Sequence, residues 1–191
     1  MSIDIALLLA LRPRATLVGL VVRGGHLKDI GIWLAIGLIG VGIGWAILSG
    51  GGGAVSELAP AFTLENLDGV DVSLSDYLGS VVILDFWATW CTPCMKTFPE
   101  LHALQLRYAD RGVALLVVSL DRTADRARDH LVRSGFPTSN VLWGSLDEAR
   151  AVKSLYDVGG IPRTFLIDRN GYIRFSGYPT RVTPEEIEPW L

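Results

Sequence analysis

The chain has 191 residues, half of them hydrophobic, which leaves room for one folded domain and an appendage. Its mean hydropathy of +0.37 is high for a purely soluble protein. The residues after 48 carry 13 basic and 18 acidic side chains, a net charge of −5 that argues against nucleic-acid binding. With only two cysteines, the chain does not have the composition of a disulfide scaffold.

Residues 30–48 form an uncharged apolar segment with Trp33 and Trp45 near its ends. As a helix this segment spans roughly 28 Å, about the hydrocarbon thickness of a bilayer. We predict a retained transmembrane anchor with interfacial tryptophans. A cleaved signal peptide and a buried core helix are the alternatives. The 29 residues before the segment are long for the n-region of a signal peptide, and the apolar run is longer than a usual h-region. A core helix would normally show a polar stripe, which this segment lacks.

Basic residues predict the orientation of this anchor. Four precede the span, and the next one along the chain is Lys96, so the N-terminus is expected in the cytoplasm. Residues 1–29 are then a cytoplasmic leader, 49–57 a glycine-rich tether, and 58–191 a domain outside the cytoplasm, periplasmic in a cell with two membranes. The oligomeric state is left open, because a Gly-x-x-x-Gly pair in the span is a weak signal for dimerisation.

The outer domain begins with a predicted β-hairpin. Segments 61–64 and 70–73 flank Asp68-Gly69, a dipeptide typical of tight hairpin turns. A short helical turn over 75–78 follows. The apolar, β-branched run 81–86 then predicts a central strand that is covered on both faces.

Further strands and helices alternate along the rest of the chain. A helix is predicted from Cys91 to about Arg111, because apolar residues recur there at helical spacing. Later patterns predict a strand over 113–120, a helix over 123–134, a short strand over 140–143, a helix over 146–156, a hairpin of 164–168 with 172–176, and a last helix from Thr183. This order predicts an α/β fold in which crossovers give parallel strand pairs and hairpins add antiparallel ones.

Cys91 and Cys94 follow the central strand closely and start the predicted helix. Unpaired N–H groups and the helix dipole favour a thiolate at that position. A thiolate attacks a disulfide, and a second cysteine three residues on can resolve the mixed disulfide. The spacing therefore indicates a redox-active pair.

Other uses of a Cys-x-x-Cys pair fit this sequence poorly. A zinc site needs two more ligands, and the three histidines, His26, His102 and His130, are scattered. Haem attachment requires a histidine where Met95 stands. A purely structural disulfide would close a very short loop and stabilise little. We therefore expect no metal and no cofactor.

Asp85 is the only charged residue in the predicted central strand and lies six residues before Cys91. Burial would raise the pKa of this carboxyl, so that it takes the proton from the Cys94 thiol during resolution. The alternative is a polar residue tolerated at the end of a strand.

Three motifs resemble those of membrane-anchored thioredoxin-fold proteins of the TlpA/ResA type. They are Phe-Trp-Ala-Thr-Trp-Cys-Thr-Pro-Cys over 86–94, Phe-Pro-Glu-Leu over 98–101, and Gly-Ile-Pro-Arg-Thr-Phe-Leu-Ile-Asp over 160–168. The resemblance covers about residues 58–191, and the first hairpin resembles the extension that this group shares with peroxiredoxins. It implies a thioredoxin-like α/β fold with a central mixed sheet flanked by helices and an N-terminal hairpin extension.

The resemblance also implies roles for matching residues. Cys91 is the attacking thiol, Cys94 the resolving thiol, and Asp85 matches an aspartate of thioredoxins. Pro162 is expected in a cis peptide bond facing the disulfide, with an ordinary trans turn as the alternative. Substrate binding is assigned to four residues near the sulfurs: Trp90, Thr92, Pro93 and Ile161. Trp90 is expected to pack around the disulfide together with Trp87, for which core filling is the alternative.

The function implied is a membrane-tethered thiol-disulfide oxidoreductase that reduces protein disulfides outside the cytoplasm. Its electrons would come from a membrane thiol donor of the DsbD or CcdA kind, and apocytochrome c would be one client. Thr97 departs from the glutamate that some ResA-like reductases carry, so a specialised cytochrome c role does not follow from the resemblance. A peroxiredoxin-like thiol peroxidase and a non-catalytic tethered binding module are the rival functions.

Overall fold

The computed structural model describes residues 57–191. The strands in this part of the chain are β1 (Glu57–Leu58), β2 (Thr63–Glu65), β3 (Asp71–Ser73), β4 (Val81–Trp87), β5 (Val113–Ser119), β6 (Val141–Leu142), β7 (Arg163–Ile167) and β8 (Tyr172–Gly177). The α-helices are α1 (Thr92–Tyr108), α2 (Ala124–Ser134), α3 (Leu146–Leu155) and α4 (Pro184–Ile187).

Six of these strands form one mixed sheet in the order β1-β8-β7-β4-β5-β6. The β4–β5 and β5–β6 pairs are parallel, whereas β4–β7, β7–β8 and β1–β8 are antiparallel. All seven residues of β4 are buried. Because successive side chains of a strand point to opposite faces, both faces of the sheet are covered at β4. The predicted mixed sheet and its central strand are confirmed.

Both predicted hairpins are present. Strands β2 and β3 pair in a separate two-stranded sheet around the Asp68-Gly69 turn. Gly69 has a φ of 81°, a left-handed conformation that glycine adopts readily. The Asn66 side chain fixes this turn by accepting hydrogen bonds from the N–H groups of Asp68 and Val70, at 3.0 and 2.9 Å. Local turn chemistry therefore sets the register of the hairpin.

The first helix ends earlier than predicted. Helix α1 stops at Tyr108, and the chain tightens into a 3₁₀ turn over Ala109–Arg111. Gly112, at a φ of 80°, then directs the chain into β5. Tightening of the last helical turn satisfies carbonyl groups that would otherwise lack partners, and the hydrophobic pattern of the sequence does not record it.

The predicted leader, membrane anchor and most of the tether lie outside the described residues. Between residues 57 and 191 no helix is both long enough and apolar enough to span a bilayer.

Candidate active site

Cys91 lies at the junction between strand β4 and helix α1. Its N–H donates to the Ala88 carbonyl at 3.1 Å, which closes the turn after the strand. Cys91 is the N-cap of α1, and its sulfur accepts a hydrogen bond from the Cys94 N–H at 3.2 Å. An anionic sulfur at this position would face both a hydrogen-bond donor and the positive end of the helix dipole. The geometry therefore favours the thiolate of Cys91 in the reduced protein.

The two cysteines form a disulfide but differ in exposure. Cys91 is 5% exposed, whereas Cys94 is completely buried. The two residues between them, Thr92 and Pro93, are exposed on the first turn of α1. An incoming sulfur can therefore reach Cys91 and not Cys94. This difference suits an attacking thiol followed by a resolving thiol.

Pro162 is preceded by a cis peptide bond, in agreement with the resemblance. Ile161 and Pro162 are partly exposed and lead directly into β7. Strand β7 is antiparallel to β4 with Phe86 opposite Arg163. The start of β7 therefore lies at the end of β4 from which the chain continues to Cys91. Sheet pairing thus brings together two segments that are 70 residues apart in the sequence.

Asp85 is fully buried in β4, opposite Thr164 of β7. Its Oδ1 accepts a hydrogen bond from the Thr164 hydroxyl at 2.7 Å, and its Oδ2 is buried without a partner in residues 57–191. Burial raises the pKa of Asp85 to about 7, and the Thr164 hydrogen bond opposes part of that rise. The burial and the raised pKa agree with the sequence prediction. A carboxyl with a pKa near neutrality is suited to proton transfer.

The two tryptophans near the cysteines have different environments. Trp87 is completely buried, with its ring 5.6 Å from that of Phe98 and 5.9 Å from that of His130. Trp90, by contrast, is 59% exposed. More than half of the Trp90 surface is therefore in solvent, and its packing around the disulfide stays a prediction. Trp87 fills the core, which was the alternative prediction for this residue.

The sequence prediction missed Asp121, which holds the segment before Cys91. Its carboxylate accepts hydrogen bonds from the Thr89 N–H at 3.0 Å, the Thr89 hydroxyl at 2.6 Å and the Ser119 hydroxyl at 3.0 Å. The Trp143 indole N–H donates to the Asp121 carbonyl at 2.8 Å. A signal was present, because Asp121 lies two residues after a strand that is parallel to β4, and parallel strands end at the same edge of the sheet.

We expect Asp121→Asn to loosen the Thr89–Cys91 segment and to slow disulfide exchange about tenfold. The amide keeps the size of the carboxylate but replaces one acceptor oxygen with a donor, at a cost of about 1–3 kcal/mol in unfolding free energy. Urea unfolding and exchange rates measure both effects. Asp125→Asn is the matched control, since Asp125 is exposed and, within residues 57–191, forms an ion pair only with Arg128 on its own helix. Equal effects of the two substitutions would contradict the role of Asp121.

Comparisons with known proteins agree with this geometry. The model of the AhpC/TSA family matches residues 55–176. The thiol-disulfide oxidoreductase ResA of Geobacillus kaustophilus is 37% identical over 138 residues, which cover 72% of this chain and 76% of that protein. The thioredoxin-like protein YneN of Bacillus subtilis is 35% identical over 135 residues, 71% of this chain and 77% of its own.

Solved structures give the same result for the fold. A Chlorobium tepidum protein with the provisional name thiol:disulfide interchange protein DsbE matches with a TM-score of 0.62 at 34% identity. The match covers 70% of this chain and 95% of that one. The thioredoxin domain of a Bacteroides vulgatus thiol-disulfide oxidoreductase also has a TM-score of 0.62, at 27% identity, and covers 72% of this chain and 95% of its own. The thioredoxin-like fold implied by the motifs is confirmed.

Proposed function

This chain belongs to the AhpC/TSA family and is a thiol-disulfide oxidoreductase, and we propose that it reduces disulfides of extracytoplasmic proteins while tethered to a membrane. One observation carries the chemistry. A slightly exposed Cys91 caps helix α1 and is disulfide-bonded to a fully buried Cys94. This arrangement lets the Cys91 sulfur react with a substrate disulfide, while the Cys94 sulfur remains available to resolve the mixed disulfide.

The reaction begins with the reduced pair. The Cys91 thiolate attacks one sulfur of the substrate disulfide, a mixed disulfide forms, and the other substrate sulfur leaves as a thiolate. Cys94 then loses its proton and attacks the Cys91 sulfur, which releases the second substrate sulfur and closes the Cys91–Cys94 disulfide. Two electrons pass to the substrate and two thiols of the enzyme are consumed.

Asp85 and Ile161 assist these steps in our proposal. Asp85 accepts the proton of Cys94, which its pKa of about 7 permits near neutral pH. The backbone of Ile161, next to cis Pro162, pairs with the substrate chain in the manner of an added strand. The exposed side chains on the first turn of α1, Thr92 and Pro93, contact the same substrate segment.

Membrane tethering and the electron donor are the further parts of the proposal. They are supported by the uncharged segment 30–48 and by the basic residues that precede it. Reduction of many substrates requires re-reduction of the Cys91–Cys94 disulfide, for which we propose a membrane thiol donor of the DsbD or CcdA kind. A role in cytochrome c maturation is one form of this proposal, with apocytochrome c as the client.

We expect the full chain to fractionate with membranes and its Cys91 thiol to be labelled from outside the cell. The test uses Cys94→Ser, in which Cys91 is the only thiol, with a maleimide that cannot cross membranes. Intact spheroplasts should be labelled as fully as lysed ones after reduction. A variant that lacks residues 1–48 serves as a control for the anchor and should lose membrane association. Labelling only after lysis would contradict the proposed location.

Two rival functions give different results in simple assays. A thiol peroxidase would consume hydrogen peroxide rapidly once reduced, and Ala88 stands where peroxiredoxins carry a threonine before their reactive cysteine. A non-catalytic binding module would keep its cellular role after both cysteines were replaced by serine. We expect slow peroxide consumption and loss of the cellular role.

A further inference from the structure

A groove that includes Trp90, the residue before Cys91, is lined by apolar residues and by basic residues of helices α2 and α3 and of the loop before α2. It consists of two adjoining cavities of about 370 and 410 Å³ that share Trp90, Leu120, Leu146 and Arg150. Arg122 and Arg126 line the first cavity, and Lys153 lines the second. We refer to the surface formed by these seven residues as the basic groove.

The basic groove concentrates positive charge on a part of the chain that is acidic as a whole. No acidic residue lines either cavity, although residues after 48 have a net charge of −5. Arg122, Arg126 and Lys153 make no ion pair with any residue in 57–191. Arg150 lies 3.8 Å from Asp147, whose side chain is 96% exposed and holds Arg150 only weakly. The charges of the groove are therefore available to an acidic partner.

One residue of the basic groove is the chain neighbour of the reactive cysteine. Trp90 is 59% exposed and directly precedes Cys91 in the chain. Leu120 is held in place at the end of β5, where its N–H donates to the Trp87 carbonyl at 2.9 Å. The groove is therefore within reach of a polypeptide whose disulfide meets Cys91 and whose chain continues across Trp90.

We propose that the basic groove binds an acidic segment of the protein substrate, next to the disulfide that Cys91 attacks. This inference rests on the proposed function and adds a preference among substrates. A small anion would use only the charges. An extended segment with alternating carboxylate and apolar side chains would use the charges and also cover Trp90, Leu120 and Leu146.

The test measures reduction of three synthetic peptides by the full-length chain in a neutral detergent. The peptides share one intramolecular disulfide and differ in the flanking residues, which are glutamate, serine or lysine. We expect kcat/KM for the glutamate peptide to exceed that for the lysine peptide about tenfold at low salt. The difference should shrink toward unity at about 1 M salt, where the Debye length falls to roughly 3 Å.

Charge-reversal variants locate the effect. Arg126→Glu with Lys153→Glu should invert the peptide preference, with little change for the serine peptide. The matched control is Arg133→Glu with Arg107→Glu, which changes the same amount of charge. Arg133 lies on α2 two turns after Arg126 and outside the groove. The control pair should keep the preference for the glutamate peptide.

Each outcome of this experiment distinguishes the inference from the proposed function. Equal reduction of all three peptides would overturn the acidic preference and leave the oxidoreductase function intact. Equal loss of preference in the control pair would also overturn it, because the effect would then be one of net charge. Failure to reduce any of the peptides would overturn the proposed function and this inference with it. If the groove variant instead lost binding to phosphatidylglycerol vesicles with its peptide preference unchanged, the groove would be a lipid site and the inference would be wrong.

Discussion

Cys91→Ser is expected to abolish disulfide exchange, with a residual rate indistinguishable from that without protein. Serine keeps the cap position of helix α1 but is a far weaker nucleophile toward sulfur at neutral pH. The fold should persist, because the short Cys91–Cys94 loop contributes little to stability. Reduction of a model disulfide peptide measures the rate, and urea unfolding compares the variant with reduced wild-type protein. Exchange at more than about a tenth of the wild-type rate would contradict the assigned attacking role.

Cys94→Ser is the matched variant and should give a different defect. It keeps Cys91 and therefore forms the mixed disulfide, but it lacks the buried sulfur that releases the substrate. Adducts that disappear with dithiothreitol should accumulate in cells and can be isolated to identify the clients. Cys91→Ser should give no such adducts. If Cys94→Ser trapped no protein under oxidising or reducing conditions, the exchange function would be contradicted.

Asp85→Asn is expected to slow resolution of the mixed disulfide about 100-fold, in the range typical of a lost general base. In the wild-type protein the rate of this step should rise with pH through about 7, because only the ionised carboxylate accepts the Cys94 proton. The variant should lose that dependence. Stopped-flow mixing of a preformed mixed disulfide isolates the step from substrate attack.

Thr164→Val is a second variant, which keeps the Asp85 carboxyl and changes only its pKa. The Thr164 hydroxyl donates to Asp85 and lowers its pKa, so its loss should move the rise in rate to higher pH while leaving the maximum rate similar. A wild-type profile that is flat between pH 5 and 9, or a Thr164→Val profile shifted to lower pH, would contradict the role of Asp85.

The same carboxyl makes stability depend on pH. The pKa of Asp85 is 3.8 when unshifted and about 7 in the folded protein, so between these values the folded state holds a proton that the unfolded chain releases. The unfolding free energy of the oxidised protein should therefore fall as pH rises across this interval. Asp85→Asn removes this contribution and should be more stable than wild type above pH 7, by up to a few kcal/mol. An identical pH dependence in the two proteins would contradict the raised pKa.

Much of the fold was predictable because its signals are local. The apolar run of β4 and the turn dipeptides at Asp68-Gly69 and Asn170-Gly171 act within a few residues, and each was placed correctly. The position of Cys91 at the start of a helix also followed from the sequence alone. Hydrophobic periodicity and turn chemistry indicate these features without reference to tertiary contacts.

Features that depend on tertiary contacts were harder to predict. Asp121 became part of the site only because parallel β4 and β5 end at the same edge, where its carboxylate meets Thr89. The exposure of Trp90 does not follow from its motif, because a motif gives residue identity and not the direction of a side chain. The basic groove joins residues from two helices and two loops, and no sequence window contains them together.

The central claim is that reduced Cys91 and Cys94 transfer two electrons to a protein disulfide. Single-turnover mixing of the reduced full chain with a disulfide-bonded substrate protein tests it most directly, with thiols on each protein counted by mass after alkylation. We predict that one substrate disulfide is reduced for each Cys91–Cys94 disulfide formed, with the mixed disulfide as a transient species. Oxidation of the pair without a matching gain of substrate thiols, or no oxidation at all, would contradict the account.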